Sequence, residues 1–171
     1  MQVGKLNPQP TARLNFPGFQ EILDFTSAGS ESSVSVTVDG DTDKEYKIII
    51  RNLTSQQIYI RPNNDSGATN YGYQYLLNNA GTITAARNVT TSIFPTGTLS
   101  EDTYTFLTPT GFLKTAFNDR NGYTSGTTIG LFLVAGSVWN STSNVTSLDF
   151  VSASGNFTTG TRITVYARRS N

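Results

Sequence analysis

Ser33-Val34-Ser35-Val36-Thr37-Val38 alternates polar and apolar residues without a break. Successive side chains of a β-strand point to opposite faces, so this stretch puts its three valines on one face and its hydroxyls on the other. A half-buried strand is predicted, and the same pattern recurs on both sides of it. Downstream, Asp39-Gly40-Asp41-Thr42-Asp43 leads into Tyr46-Lys47-Ile48-Ile49-Ile50, which predicts a hairpin turned at its Asp-Gly tip. Gln57-Ile58-Tyr59-Ile60 stops at Pro62, and Tyr71-Gly72-Tyr73-Gln74-Tyr75-Leu76-Leu77 sets three tyrosines on one side. Asn78-Asn79-Ala80-Gly81 then turns the chain into Thr82-Ile83-Thr84. Further strands are predicted over 89–94, 103–107, 112–117, 128–134, 145–151 and 162–166. Turn residues separate these runs at roughly 8–14 positions, and no helical apolar period persists for three turns. Roughly ten to twelve short strands without a helix predict an all-β protein, an antiparallel β-sandwich of jelly-roll-like form.

Composition narrows the chemistry. The 171 residues include no cysteine, no histidine, one methionine and one tryptophan, and twelve Lys+Arg balance twelve Asp+Glu. Ser-His-Asp and Cys-His nucleophilic sites are therefore excluded, as is a zinc site of imidazole and thiolate. Zero net charge argues against bulk binding to nucleic acid, which calls for a basic face. Only 14% of residues are charged, while Thr, Ser and Asn fill about a third of the chain. The most apolar run, Ile129-Gly130-Leu131-Phe132-Leu133-Val134-Ala135-Gly136, is far shorter than the ~20 residues that span a bilayer. The first residues lack the apolar core of a secretory signal. A soluble protein with neither membrane nor nucleic-acid partner is expected.

Residues 1–18 differ from the rest. Pro8, Pro10 and Pro17 each fix φ and extend the residue before them. The segment reads as an extended N-terminal arm whose Leu6, Arg13, Leu14 and Phe16 contact a partner, or as a frayed terminus. Residues 19–171 read as one β-sandwich domain.

Four groups of residues merit weighing as sites. Asp39, Asp41, Asp43 and Glu45 resemble the start of a calcium loop, but Lys44 and Ile50 stand where an EF-hand needs Gly and Glu, so a solvated turn is the expected reading. Asn63, Asn64, Asp65 and Asn70 form a second oxygen-rich loop, read in the same way. Tyr71, Tyr73 and Tyr75 suit either a stacking platform for sugar rings or a sheet-stabilising ladder, and they join the arm as candidate partner contacts. Arg162, Arg168 and Arg169 form a basic edge, open to an acidic partner or to solvent. Glycoside hydrolysis needs two carboxylates flanking one bond. The adjacent Glu101-Asp102 pair points to opposite faces of its strand, so no catalytic pair is selected. No catalytic residue, cofactor or metal site is assigned.

Two blocks carry a resemblance. Gly136-Ser137-Val138-Trp139-Asn140-Ser141-Thr142, with Gly155-Asn156-Phe157-Thr158-Thr159-Gly160-Thr161-Arg162, is similar to the end of a group of tailed-bacteriophage virion proteins. Asn64-Asp65-Ser66-Gly67 followed by Asn70-Tyr71-Gly72-Tyr73-Gln74-Tyr75-Leu76 resembles a second segment of the same group, and Phe112-Leu113-Lys114-Thr115 matches it loosely. The resemblance covers roughly residues 45–167. Physically, Gly155, Asn156 and Gly160 should turn a hairpin ending in 162–166, and Trp139 should plug the core at the end of the long apolar strand. The resemblance implies a non-enzymatic structural component of a phage particle, made in the host cytoplasm. A capsid decoration or cement protein bound to the major capsid protein is the first expectation, with a closed homo-oligomer such as a trimer. A tail, fibre or baseplate module binding host-surface glycan is the second, and a depolymerase the third.

Overall fold

Strand-forming sequence accounts for almost all of the regular structure. In the computed structural model, the described residues are 17–53, 56–97, 99–125 and 128–169. The proposed contacts Leu6, Arg13, Leu14 and Phe16 lie outside them. Eleven strands are present among these residues: β1 (Gln20–Thr26), β2 (Ser33–Thr37), β3 (Asp43–Asn52), β4 (Ile58–Pro62), β5 (Tyr71–Asn79), β6 (Thr82–Thr90), β7 (Ser100–Leu107), β8 (Lys114–Ser125), β9 (Thr128–Trp139), β10 (Ser147–Ser152) and β11 (Arg162–Arg169). They form an eight-stranded sheet in the order β1-β11-β3-β7-β8-β9-β5-β6 and a three-stranded sheet in the order β2-β10-β4. Every pairing between strands is antiparallel. The protein is thus an all-β antiparallel sandwich; this strand order does not confirm a jelly-roll winding.

The pattern in 33–38 is realised as read, because Val34, Val36 and Val38 all join the core side. The hairpin expected beyond it is not formed. β2 pairs with β10 in the small sheet, whereas β3 lies between β11 and β7 in the large one. Both strands present an apolar face to the same core from opposite layers, so Asp39 to Thr42 is a crossover. A tight turn is still made there, with the Asp39 carbonyl accepting from the amides of Thr42 and Asp43. The hairpin predicted around Gly155-Asn156 is corrected for the same reason. β10 belongs to the small sheet and β11 to the large one, so 153–161 is a second crossover. Its glycines do supply the turn, Gly155 at φ 66° and Gly160 at φ 86°. The separate strands read at 82–84 and 89–94 are one strand, β6, which ends at Thr90; past it, Ile93 makes a single bridge to Ile60.

Eight strands at about 4.8 Å spacing span roughly 34 Å, and three span about 10 Å, so the small sheet covers only part of the large one. The principal core lies beneath that cover. It joins Tyr46, Ile48 and Ile50 of β3, Tyr104 and Phe106 of β7 and Ile163 and Val165 of β11 to Ile58, Ile60, Leu148 and Phe150 opposite. Beyond it, the inner side of β9 and β5 is closed by the segment after β6. Phe94 packs there with Leu133 and Ala135, flanked by Tyr73, Tyr75 and Leu77.

Candidate functional site

The loop before β5 is organised by one carboxylate. Asp65 Oδ1 accepts from the Gly67 amide (2.8 Å) and Oδ2 accepts from Trp139 Nε1 (2.7 Å), while Asn70 Nδ2 donates to both oxygens. The Tyr71 hydroxyl donates to the Asp65 carbonyl at 2.9 Å, and the Tyr71 ring stacks on Trp139 with the planes 15° apart. Tyr71 and Trp139 are register partners on β5 and β9. Partial burial alone would raise the Asp65 pKa. The Gly67 amide, the Trp139 indole and the Asn70 amide outweigh it, holding the carboxyl below its ordinary range. Burial also pushes the Tyr71 hydroxyl far above the usual range for tyrosine, with the nearby Asp65 charge adding to the effect. The two blocks quoted for the resemblance therefore meet in space at Asp65 and Trp139, and they meet as a clamp on the framework.

Asp102 and Arg120 form a buried ion pair on the inner side of β7 and β8. Arg120 Nε donates to Asp102 Oδ1 at 2.6 Å, and Ser100 Oγ donates to Oδ2 at 2.5 Å. Arg120 also donates to the Pro95 carbonyl and lies 5.0 Å over the Phe94 ring. The pair is engaged by its own strands, with Ser100, Tyr104 and Asn118 donating to Asp102, and by the segment that closes the second core. A buried pair satisfied in this way holds a framework in register. Lys114 is likewise buried, and its Nζ donates to the carbonyls of Pro109 (2.8 Å) and Phe112 (2.9 Å). Burial lowers its pKa, and Asp41 partly offsets the effect.

The remaining candidates separate. Asp39 accepts from the Asp41 amide, Thr42 Oγ1 and Asn144 Nδ2, and Asp43 accepts from the Tyr46 hydroxyl. Among the described residues no three acidic side chains gather as metal ligands would. Asn63 Oδ1 takes three donors from Thr146 and Ser147, fastening its loop to the start of β10. Arg162 grips Asp24 through two nitrogens at 2.8 and 2.9 Å, and Arg168 pairs with Glu45 at 2.9 Å, so these two of the three arginines have acidic partners within the chain. Glu101 is exposed and Asp102 is buried, on opposite faces as expected. The tyrosine reading needs correcting. Tyr71, Tyr73 and Tyr75 do share a face, but it is the inner one. Tyr71 is 1% exposed and cannot meet a partner, and Tyr73 sits edge-on against Phe94 at 4.7 Å.

The opposite, outer face of β8, β9, β5 and β6 is different. Leu76, Val89, Phe117 and Phe132 are each at least half exposed there, Ile83 is 70% exposed and Val134 40%. The registers align these strands in four rows of four residues, among which only Arg87 and Asp119 are charged. Gly72 and Gly136 floor a trough of about 780 Å³ whose walls include Phe117, Val89, Val138 and Arg87. A Cβ built on Gly136 meets nothing within 4 Å, so the floor is open. Sequence reading missed this surface, although one signal was present. The run 129–136 is apolar at nearly every position, which places apolar side chains on both faces of β9.

No protein-family model matches the chain, and no curated protein does. One solved structure, a protein of unknown function from Shewanella oneidensis MR-1, is 9% identical over 92% of this chain and 78% of its own length, with a TM-score of 0.24. A likeness that weak bears on neither fold nor function.

Proposed function

We propose that the chain is a non-enzymatic virion structural protein of a tailed bacteriophage, decorating and cementing the capsid. The observation that carries this reading is the outer face of β8, β9, β5 and β6, where six large apolar side chains stand in water in regular strands. An apolar patch of this extent lies near the upper end for a soluble monomer and commonly marks an interaction surface, which components of a protein assembly cover. The residues behind the resemblance to virion proteins lend support, since Asp65, Asn70, Tyr71 and Trp139 hold one another as framework residues do. The arm 1–18 is assigned to the shell, where Leu6, Leu14 and Phe16 clamp neighbouring capsid subunits beside Arg13. Binding of the purified full chain to empty capsids of its phage tests this, beside a glycan array. Saturable capsid binding, lost in the Leu14→Asp, Phe16→Asp double variant, is the expected result. Capsid binding unchanged by that variant sinks the clamp. Glycan binding without capsid binding replaces the reading with that of a tail module.

A further inference from the structure

The outer face also carries a geometry that selects its own occupant, and we infer that this face binds a second copy of the chain about a two-fold axis. The inference rests on the reading above only in taking the face to be a protein contact. Its six exposed apolar side chains present on the order of 500 Å², near the upper end for a monomer and most of the roughly 800 Å² each partner gives to a standard interface.

Complementarity decides the partner. A two-fold interface is isologous, so a surface can use it only if its knobs match its own holes. A two-fold axis parallel to the strands, lying between β9 and β5, sets β9 of one copy over β5 of the other and β8 over β6. Each β9 residue then faces the residue that is its own register partner on β5. Val138 is registered with Gly72, and Gln74 with Gly136. Both glycines of the trough therefore lie beneath a side chain of the second copy, and Val138 and Gln74 supply the missing bulk. In the next row Val134 is registered with Leu76, which places an apolar contact near the axis.

Charge follows the same symmetry. Arg87 is on β6 and Asp119 on β8, at the two margins of the face, and each is exposed. Arg87 shares its row with Phe117, and Asp119 is one row further on. The two-fold operation lays β6 over β8, so each Arg87 meets the second copy's Phe117 ring and reaches its Asp119. Both charges are answered twice, and no like pair is opposed. Sheets packed face to face sit about 10 Å apart, within reach of an arginine side chain.

Sedimentation equilibrium of the full-length chain across the micromolar range tests the inference. Twice the 18.5 kDa chain mass is expected. Gly136→Glu fills the trough without touching its own fold, since a Cβ there is unopposed, and should give a folded monomer. Arg87→Asp and Asp119→Arg should each weaken the dimer at least tenfold, and the double variant should recover most of the loss. Far-ultraviolet circular dichroism and Trp139 fluorescence check that each variant is folded. A monomeric wild type, a trimer, or a dimer indifferent to Gly136→Glu and to the charge exchange overturns the inference. A dimer that behaves as expected while the wild type ignores capsids overturns the attachment reading alone.

Discussion

Asp65 shows how much one side chain can fix. Its carboxylate gathers an amide, an indole and a carboxamide from three places in the chain, and its own carbonyl receives the Tyr71 hydroxyl. Hydrogen bonds to a charged acceptor are the stronger kind. Asp65→Asn keeps the shape but removes the charge, and is expected to cost about 1–2 kcal/mol at neutral pH, measured by urea unfolding followed through Trp139. The pH dependence has a definite sign. The folded pKa lies below the ordinary value of 3.8, so the stabilisation is complete above that value and is lost as pH falls through the folded pKa. The difference between wild type and Asp65→Asn should therefore shrink in acid. The clamp was half legible in the sequence. Both blocks were visible, and Trp139 could be placed in the core from the apolar strand it ends. That Asp65 reaches it was not readable, because their separation of 74 residues is closed only by the pairing of β5 with β9.

The β5–β6 hairpin is the element that shapes the exposed surface. Its two-residue turn puts Ala80 at φ 48° and Gly81 at φ 92°, and the Asn78 side chain accepts from the Gly81 amide. Positive φ at both positions suits the right-handed twist of a hairpin, but a Cβ makes alanine a poor occupant of the first. Ala80→Asn should raise stability by about 0.5–1 kcal/mol, read as an upward shift of the thermal midpoint. Turns of this kind announce themselves, and Asn78-Asn79-Ala80-Gly81 was readable as one. Asp39-Gly40 carried an equally plain signal and misled. A turn signal says that the chain bends and is silent on whether it returns to the same sheet. Gly40 serves a different need, since a Cβ there would lie 2.9 Å from Asn144 Oδ1, a residue about a hundred positions away.

For the molecule as a whole, the governing fact is the mismatch between a sheet of eight strands and a cover of three. Alternation in β3 announces one wet and one dry face, and that strand is readable from its residues alone, whereas β7 lies in the stretch 84–118, whose strands are weakly bounded in sequence. β9 has apolar side chains on both faces, which in sequence reads as a strand buried on both sides. Within one chain only its inner face is covered. The sequence contained the apolar residues but not the count of strands available to hide them. If the outer face closes on a second copy, folding is coupled to association, and the thermal midpoint should rise with chain concentration. Differential scanning calorimetry at several concentrations reads this directly, and the midpoint of Gly136→Glu should stay fixed.

The order of strands also bears on biosynthesis. β11, the last strand along the chain, lies between β1 and β3, two of the first three. Its Ile163 and Val165 are fully buried, so the principal core has a gap until they arrive. A nascent chain on the ribosome can close the β5–β6 hairpin early, but the facing edges of β1 and β3 lack their native partner until β11 emerges. Only a chain translated through β11 completes the sheet. A product terminated before β11 leaves the principal core open, so the connectivity itself separates a truncated chain from a folded one.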